Sequence, residues 1–382
     1  MRTKLRRTAG ALVAGSAAVA LAVAMAPGAM AATYHDSNFI PQVHPTTVYR
    51  IAGSDRIATA IKAAQTRVAW GTGSMGNNTF VDGCDVILAR HDDYPDALVS
   101  GPLAGSRTAP ILLNPTAALD PRVAVEIGLL KGNCTLYGGG KQFKVTIVGG
   151  IQAISDQVIT DLTAQTYWSG STWERLQGID RYQTAIAVGH AVMTDYSNDS
   201  IYNTNVFLAT GLNFPDALAA GATASQKNGI VLLTHGTVMD TLTQAYMLEI
   251  ATDLMWHPTP TVYAVGGPAA AASPDSISFI GADRYQTASL LADKFFSFLP
   301  ANGRVQNVGV ASGENFPDAM VAGGFMANSN GPLLLTQQAS LNGFTSAYLY
   351  SQRDWVNNAF VFGGPAAVAP VVATQVTDAL FN

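Results

Sequence analysis

Charge is scarce in this sequence. Only 12% of its 382 residues are Asp, Glu, Lys or Arg, and the acids outnumber the bases, for a net charge of −5. That balance argues against a diffuse nucleic-acid binder, which needs a basic face. Cysteine is nearly absent as well. The two present, Cys84 and Cys134, rule out a disulfide-dense scaffold and sit in no metal-ligand spacing. In an oxidising exterior an even pair is expected to bridge. The loop closed would be about 50 residues long, for which chain entropy gives roughly 4 kcal/mol. The six histidines, His35, His44, His91, His190, His235 and His257, share no position and form no pair. There is no HExxH, no Walker loop and no nucleophile elbow, and nothing selects two carboxylates as a glycosidase pair. No catalytic residue, metal or cofactor is therefore assigned.

Long apolar runs are also missing, except at the start. Met1 to Arg7 carries four basic residues, Thr8 to Met25 is small and apolar, and Ala29-Met30-Ala31 supplies a small-x-small cleavage triplet. Residues 1–31 read as a signal peptide, with an uncleaved anchor as the competing reading. No second run of about 18 apolar residues occurs, so no integral membrane segment is expected after cleavage. The expectation is a secreted protein held at the cell wall or cell surface. Removing the segment would leave a net charge of −9, since it holds four bases and no acid. Beyond a short linker at 32–45, the remaining chain is too long for one ordinary domain and suits three. With three modules placed, no room for a separate catalytic domain is expected within these residues.

Repetition, by contrast, is abundant. A helix-opening motif occurs as Gly53-Ser54-Asp55-Arg56-Ile57-Ala58-Thr59-Ala60, as Gly178-Ile179-Asp180-Arg181-Tyr182-Gln183-Thr184-Ala185, and as Gly281-Ala282-Asp283-Arg284-Tyr285-Gln286-Thr287-Ala288. Arg50 and Arg175 precede the first two copies, where the third has Ser278. Next comes an apolar strand running into Asn213-Phe214-Pro215-Asp216-Ala217 or Asn315-Phe316-Pro317-Asp318-Ala319. The first copy is looser, with His91-Asp92-Asp93-Tyr94-Pro95-Asp96-Ala97. A third signature is a strand ending in Gly149-Gly150, Gly266-Gly267 or Gly363-Gly364. The helix after that pair is plain at Gln152 to Ala164 and Pro370 to Leu380, but short or missing after Gly267. Modules are expected at 46–170, 171–275 and 276–382. Short apolar runs alternating with helix-length segments predict an α/β class, each module a small, mostly parallel sheet flanked by helices.

Much of the motif chemistry has a structural account. Asp55, Asp180 and Asp283 are placed as N-caps, and so are Asn213 and Asn315, with proline in the first turn and Asp216 and Asp318 favourable to the helix dipole. Gly53, Gly178, Gly281, Gly211 and Gly313 are expected to supply unusual backbone angles, with His91 tolerating the same one. Gly-Gly is expected to close a tight turn rather than cradle phosphate. Capping does not explain Arg56, Arg181 and Arg284, because the first turn of a helix disfavours a cation. Two partners are open: the Pro-Asp carboxylate of the same module, giving Arg56 with Asp96, Arg181 with Asp216 and Arg284 with Asp318, or an anion of a ligand.

The combination Gly-x-Asp-Arg-Tyr-x-Thr-Ala, Asn-Phe-Pro-Asp-Ala-Leu and terminal Gly-Gly resembles the cell wall-binding repeat 2 family, from about Thr46 to the C-terminus. The resemblance implies a pseudo-threefold grouping of the three modules. It also implies non-covalent anchoring to an anionic wall polymer of Gram-positive bacteria, teichoic-acid-like or polysaccharide. The candidate binding residues are Arg56, Asp96, Arg181, Asn213, Asp216, Arg284, Asn315 and Asp318. A surface adhesin or surface-layer component, or a wall hydrolase with an unrecognised site, are the alternatives.

Overall fold

The computed structural model describes residues 47–71, 84–94, 96–198, 205–252, 260–297 and 305–381. The expected signal peptide at 1–31 and linker at 32–45 lie outside the described residues, as does Pro95. No helix among the described residues is long and apolar enough to cross a membrane.

The apolar runs form strands, and every strand pairing among the described residues is parallel. The first sheet holds β2 (Asp85–Arg90), β3 (Ile111–Asn114), β4 (Lys144–Val148) and β5 (Thr172–Leu176), in the order β3-β2-β4-β5. The second holds β6 (Asn205–Thr210), β7 (Gly229–Thr234), β8 (Val262–Val265) and β9 (Ile277–Phe279), in the order β7-β6-β8-β9. The third joins β10 (Asn307–Ser312), β11 (Leu333–Thr336) and β12 (Asn358–Phe362) to β1 (Thr47–Ile51), in the order β1-β12-β10-β11. Central strands such as Val86 to Ala89 and Val206 to Ala209 are buried on both faces, which explains their unbroken apolar sequences.

Sheets and sequence repeats are offset by one strand. The strand that opens each repeat pairs with the Gly-Gly strand of another: β5 with β4, β9 with β8, and β1 with β12. The last pairing, from Thr47 with Asn358 to Ile51 with Phe362, closes the three units into a ring. Directly after each exchanged strand the chain turns at the Asp-Arg motif and enters a helix on the next sheet. Helix α1 (Arg56–Gly71) packs on β3, α5 (Arg181–Asn198) on β7, and α9 (Arg284–Phe296) on β11. Each Asp-Arg motif therefore stands at a seam between units.

Three helices meet at the centre of the ring. Helices α2 (Ser100–Ser106), α6 (Pro215–Gln226) and α10 (Phe316–Asn328) pack on one another pairwise about the pseudo-threefold axis. Small residues make this approach possible. A Cβ on Gly101 would lie 2.8 Å from the backbone of Gly221, too close for any side chain. On the outside, α3 (Pro121–Tyr137) and α4 (Asp156–Thr163) cover the first unit, α7 (Thr241–Thr252) and α8 (Gly267–Ala272) the second, and α11 (Gly343–Gln352) and α12 (Pro370–Phe381) the third. The shortened helix of the middle repeat is α8. Cys84 and Cys134 are bonded to each other, tying the entry of β2 to α3.

Candidate functional site

The seam motifs begin as the sequence suggested, with Oδ1 of Asp55, Asp180 and Asp283 accepting from the N–H of Ala58, Gln183 and Gln286 at 2.8, 2.9 and 2.8 Å. The asparagines do not cap. Asn213 lies one residue before the N-cap Phe214 and, among the described residues, accepts only that residue's N–H, and Asn315 holds the N-cap position without a side-chain cap bond. The glycine expectation also needs correction. None of Gly53, Gly178, Gly281, Gly211 and Gly313 has positive φ, nor does His91. Steric approach requires the glycines instead. A Cβ on Gly53 would lie 2.4 Å from Ala58, and one on Gly313 would lie 2.6 Å from Tyr285 Cε1.

Each motif arginine reaches back to the end of a strand in the sheet its helix covers. Nη1 of Arg56, Arg181 and Arg284 donates to the carbonyls of His91, Gly211 and Gly313 at 2.8, 2.5 and 2.6 Å. The same-module ion pairs are not formed, because the crossover carries each arginine against the preceding unit. There the nearby aspartates are Asp318 for Arg56, Asp96 for Arg181 and Asp216 for Arg284. None of these pairs closes to an ion pair among the described residues; they act on one another through space.

The aspartates lie under the Gly-Gly turns. Gly149, Gly266 and Gly363 have φ of +108°, +86° and +105°, and a Cβ on each would fall 2.8, 2.0 and 2.7 Å from Oδ2 of Asp96, Asp216 and Asp318. The first glycine of each pair thus supplies the positive φ of the turn and leaves room for a carboxylate in the same sheet unit. Burial raises the pKa of all three acids, and Asp216 is pushed up to about 6. The nearby Thr184 hydroxyl opposes the rise at Asp96 and the Thr59 hydroxyl opposes it at Asp318. At Asp216 only Arg284 opposes it, since the Thr287 hydroxyl donates to Asp283 O at 3.1 Å.

One set of site residues had no role assigned from sequence. Tyr94, Phe214 and Phe316 form a triangle on the axis, with ring centroids 5.7, 5.5 and 6.1 Å apart. Arg181 Cζ lies 5.9 Å from the Tyr94 ring, Arg284 6.0 Å from Phe214, and Arg56 5.9 Å from Phe316, all within cation–π range. The signal was available, because an aromatic residue recurs immediately before each Pro-Asp. The structure thus gathers Arg56, Arg181, Arg284, Asp96, Asp216 and Asp318 around three half-buried rings. Asn213 and Asn315 flank this group in sequence and make no bond to its charged members.

The preceding arginines have a different task. Arg50 Nη1 donates to Gly363 O and Val368 O at 2.7 and 2.8 Å, and Arg175 Nη1 to Gly149 O and Ile154 O at 3.0 and 2.8 Å. Each locks an exchanged strand onto a Gly-Gly turn. Among the described residues, the Ser278 hydroxyl bonds only its own neighbour, Ser276 O. At the seam joining the first and second sheets, a cleft of about 640 Å³ opens beside Arg90, Asp96 and Arg181.

The profile of the cell wall binding domain 2 (CWB2) family matches residues 50–159, 175–275 and 279–373. The N-acetylmuramoyl-L-alanine amidase LytC of Bacillus subtilis (strain 168) is 21% identical over 347 residues, which are 89% of this chain and 60% of that protein. Two solved structures from Clostridium difficile share the fold. Cwp6 has a TM-score of 0.68 at 17% identity, covering 93% of this chain and 51% of its own, and Cwp8 has 0.65 at 20%, covering 87% and 51%. The chain therefore spans between about half and three fifths of the length of these proteins.

Proposed function

This chain belongs to the cell wall binding domain 2 family, and from that premise we infer that it is an exported protein that attaches non-covalently to the bacterial cell wall by an anionic secondary polymer. Attachment rather than turnover is the activity. The amidase activity in the name of the Bacillus relative belongs to that protein, of which this chain matches only part.

The observation that carries the reading is the convergence of Arg56, Arg181 and Arg284 around one aromatic triangle. Each guanidinium spends one nitrogen on a backbone carbonyl, which fixes its orientation and leaves further donors for a ligand oxygen. With an acidic chain, long-range attraction to an anionic polymer is absent, so affinity comes from these local donors and from their multiplicity.

The test is a pull-down of the chain with sacculi before and after chemical removal of secondary polymers. Binding is expected to drop on stripping, and Arg56→Ala/Arg181→Ala/Arg284→Ala to weaken it more than it lowers the melting temperature. Undiminished binding to stripped peptidoglycan would refute the anionic-polymer assignment. Isolated repeats are poor reagents, because residues 171–275 would carry β5 away from its sheet and leave β9 behind.

A further inference from the structure

The three seams share a plan but not a surface. At the first, where β5 and Arg181 join the first sheet to the second, the cleft is lined by Arg90, Gln152, Gln177 and Gln183 together with Asp96 and Asp180. Corresponding positions in the repeats are poorer in polar groups. Arg90 at the end of β2 is matched by Thr210 on β6 and Ser312 on β10, whose hydroxyls accept from Leu212 N and Glu314 N. Gln152 after the Gly-Gly turn is matched by Ala269 and Ala366, and Gln177 after the exchanged strand by Ile280 and Ala52. The closing seam has Ala58 where the first has Gln183.

We propose that the first seam is a sugar-binding subsite, taking one pyranose unit of the wall glycan through its hydroxyls. This deepens the wall-binding reading and rests on it. The chemistry of the lining is that of hydroxyl recognition. The amides of Gln152 and Gln177 have no partner among the described residues, and each offers a donor and an acceptor side by side. Among the described residues, Gln183 Oε1 accepts only a long bond from Ile179 N at 3.4 Å. Carboxylates of Asp96 and Asp180 accept from hydroxyls, and Arg181 donates to them. Arg90 is held by Asp92 at 2.8 Å, with Asp93 nearby, so its charge is largely answered within the protein. Two exposed aliphatic side chains, Ile151 at 53% and Ile179 at 89%, stand on the cleft walls as apolar surface for the C–H face of a ring. Since the acids around the cleft offset its cations, this subsite reads hydroxyl geometry and not net charge.

The same sugar chemistry occurs in the secondary polymer and in the peptidoglycan strand, and the probes separate the two. Wild-type chain and Gln152→Ala/Gln177→Ala, which takes alanine at 152 as the other seams do and at 177 as the closing seam does, are titrated with two materials. One is neutral oligosaccharide prepared from the secondary polymer by removing its acidic groups; the other is peptidoglycan stripped of that polymer. Both residues are exposed, so melting should not change. The variant is expected to bind one of these materials about tenfold more weakly, equally at low and high salt. The material that shows the loss identifies the source. Equal binding of both by wild type and variant, while intact sacculi are still bound, would overturn this inference alone. Wild-type chain that binds no wall fraction would overturn the wall reading, and this subsite with it.

Discussion

The first and second seams use one motif and end up differently secured. At the first, β5 pairs over five residues, Arg175 locks it to the Gly149 turn, and the Thr184 hydroxyl favours the Asp96 carboxylate. Behind it the buried Arg107 ties Thr146 on β4 to Glu174 on β5 and Asp195 on α5. At the second, β9 pairs over three residues, Ser278 replaces the locking arginine, and Asp216 has no hydroxyl partner among the described residues. The middle repeat also has the shortest helix after its glycine pair, α8, so less structure stands behind the turn. Recurrence of a motif therefore fixes where a seam lies and not how strongly it holds. The ring should open first at β9.

The largest effect tests whether the first unit's strength is local to the seam or comes from its covalent staple. Replacing both cysteines, Cys84→Ser/Cys134→Ser, should lower unfolding free energy by as much as roughly 4 kcal/mol. Hydrogen exchange should still show β9 and α9 opening before β5 and α5. If β5 becomes the first to exchange, the staple and not the seam set the order.

The next test compares equivalent positions directly. Arg175→Ala leaves the carbonyls of Gly149 and Ile154 without their charged donor and should cost about 3 kcal/mol. Ser278→Ala at the second seam removes one weak local bond of 3.4 Å and should stay within about 0.5 kcal/mol of wild type. Similar losses at both sites, read from denaturant midpoints, would erase the distinction drawn between the seams.

Asp216 sharpens the same comparison through pH. Burial raises its folded pKa to about 6 from 3.8, so the folded state favours the proton. Its contribution is fully present below the unfolded value and is lost as pH rises through about 6. Between pH 4 and pH 7, Asp216→Asn should gain on wild type by on the order of 2 kcal/mol. Asp96→Asn should gain less, because Thr184, Arg90 and Arg181 support that carboxylate. Parallel stability–pH curves for wild type and Asp216→Asn would contradict the account.

Much of this architecture was legible in the residues. Apolar runs such as Val206 to Ala209 announce doubly covered strands, and Asp-Arg, Pro-Asp and Gly-Gly mark three helix or strand ends in order. The ownership of the edge strands was not. Nothing within reach of Thr47 to Ile51 marks it as a strand whose partner is β12, more than 300 positions away. The Arg–Asp expectation failed for the same reason. Once β5 belongs to the first sheet, Arg181 must face Asp96 and not Asp216. The recurring Arg50 and Arg175 were visible, yet only the exchanged strands give them a purpose.

The smallest effect concerns how the first repeat departs from the other two at the arginine. Gly211 and Gly313 exist because Tyr182 and Tyr285 lie against them, with a Cβ meeting each ring at 2.9 and 2.6 Å. In the first repeat the tyrosine is Ile57 and the glycine is His91, two changes that compensate: the shorter side chain vacates the space that a Cβ occupies. Arg56 is unaffected, because its bond is to the His91 backbone carbonyl, which any residue supplies. Ile57→Tyr alone should therefore overpack the site, His91→Gly alone should leave a void beside Ile57, and the two together should restore the fit of the other repeats. A double-mutant cycle is expected to give a favourable coupling of about 1 kcal/mol. Additive losses would mean that Ile57 and His91 arose independently, and the glycine at the other two positions would need another cause.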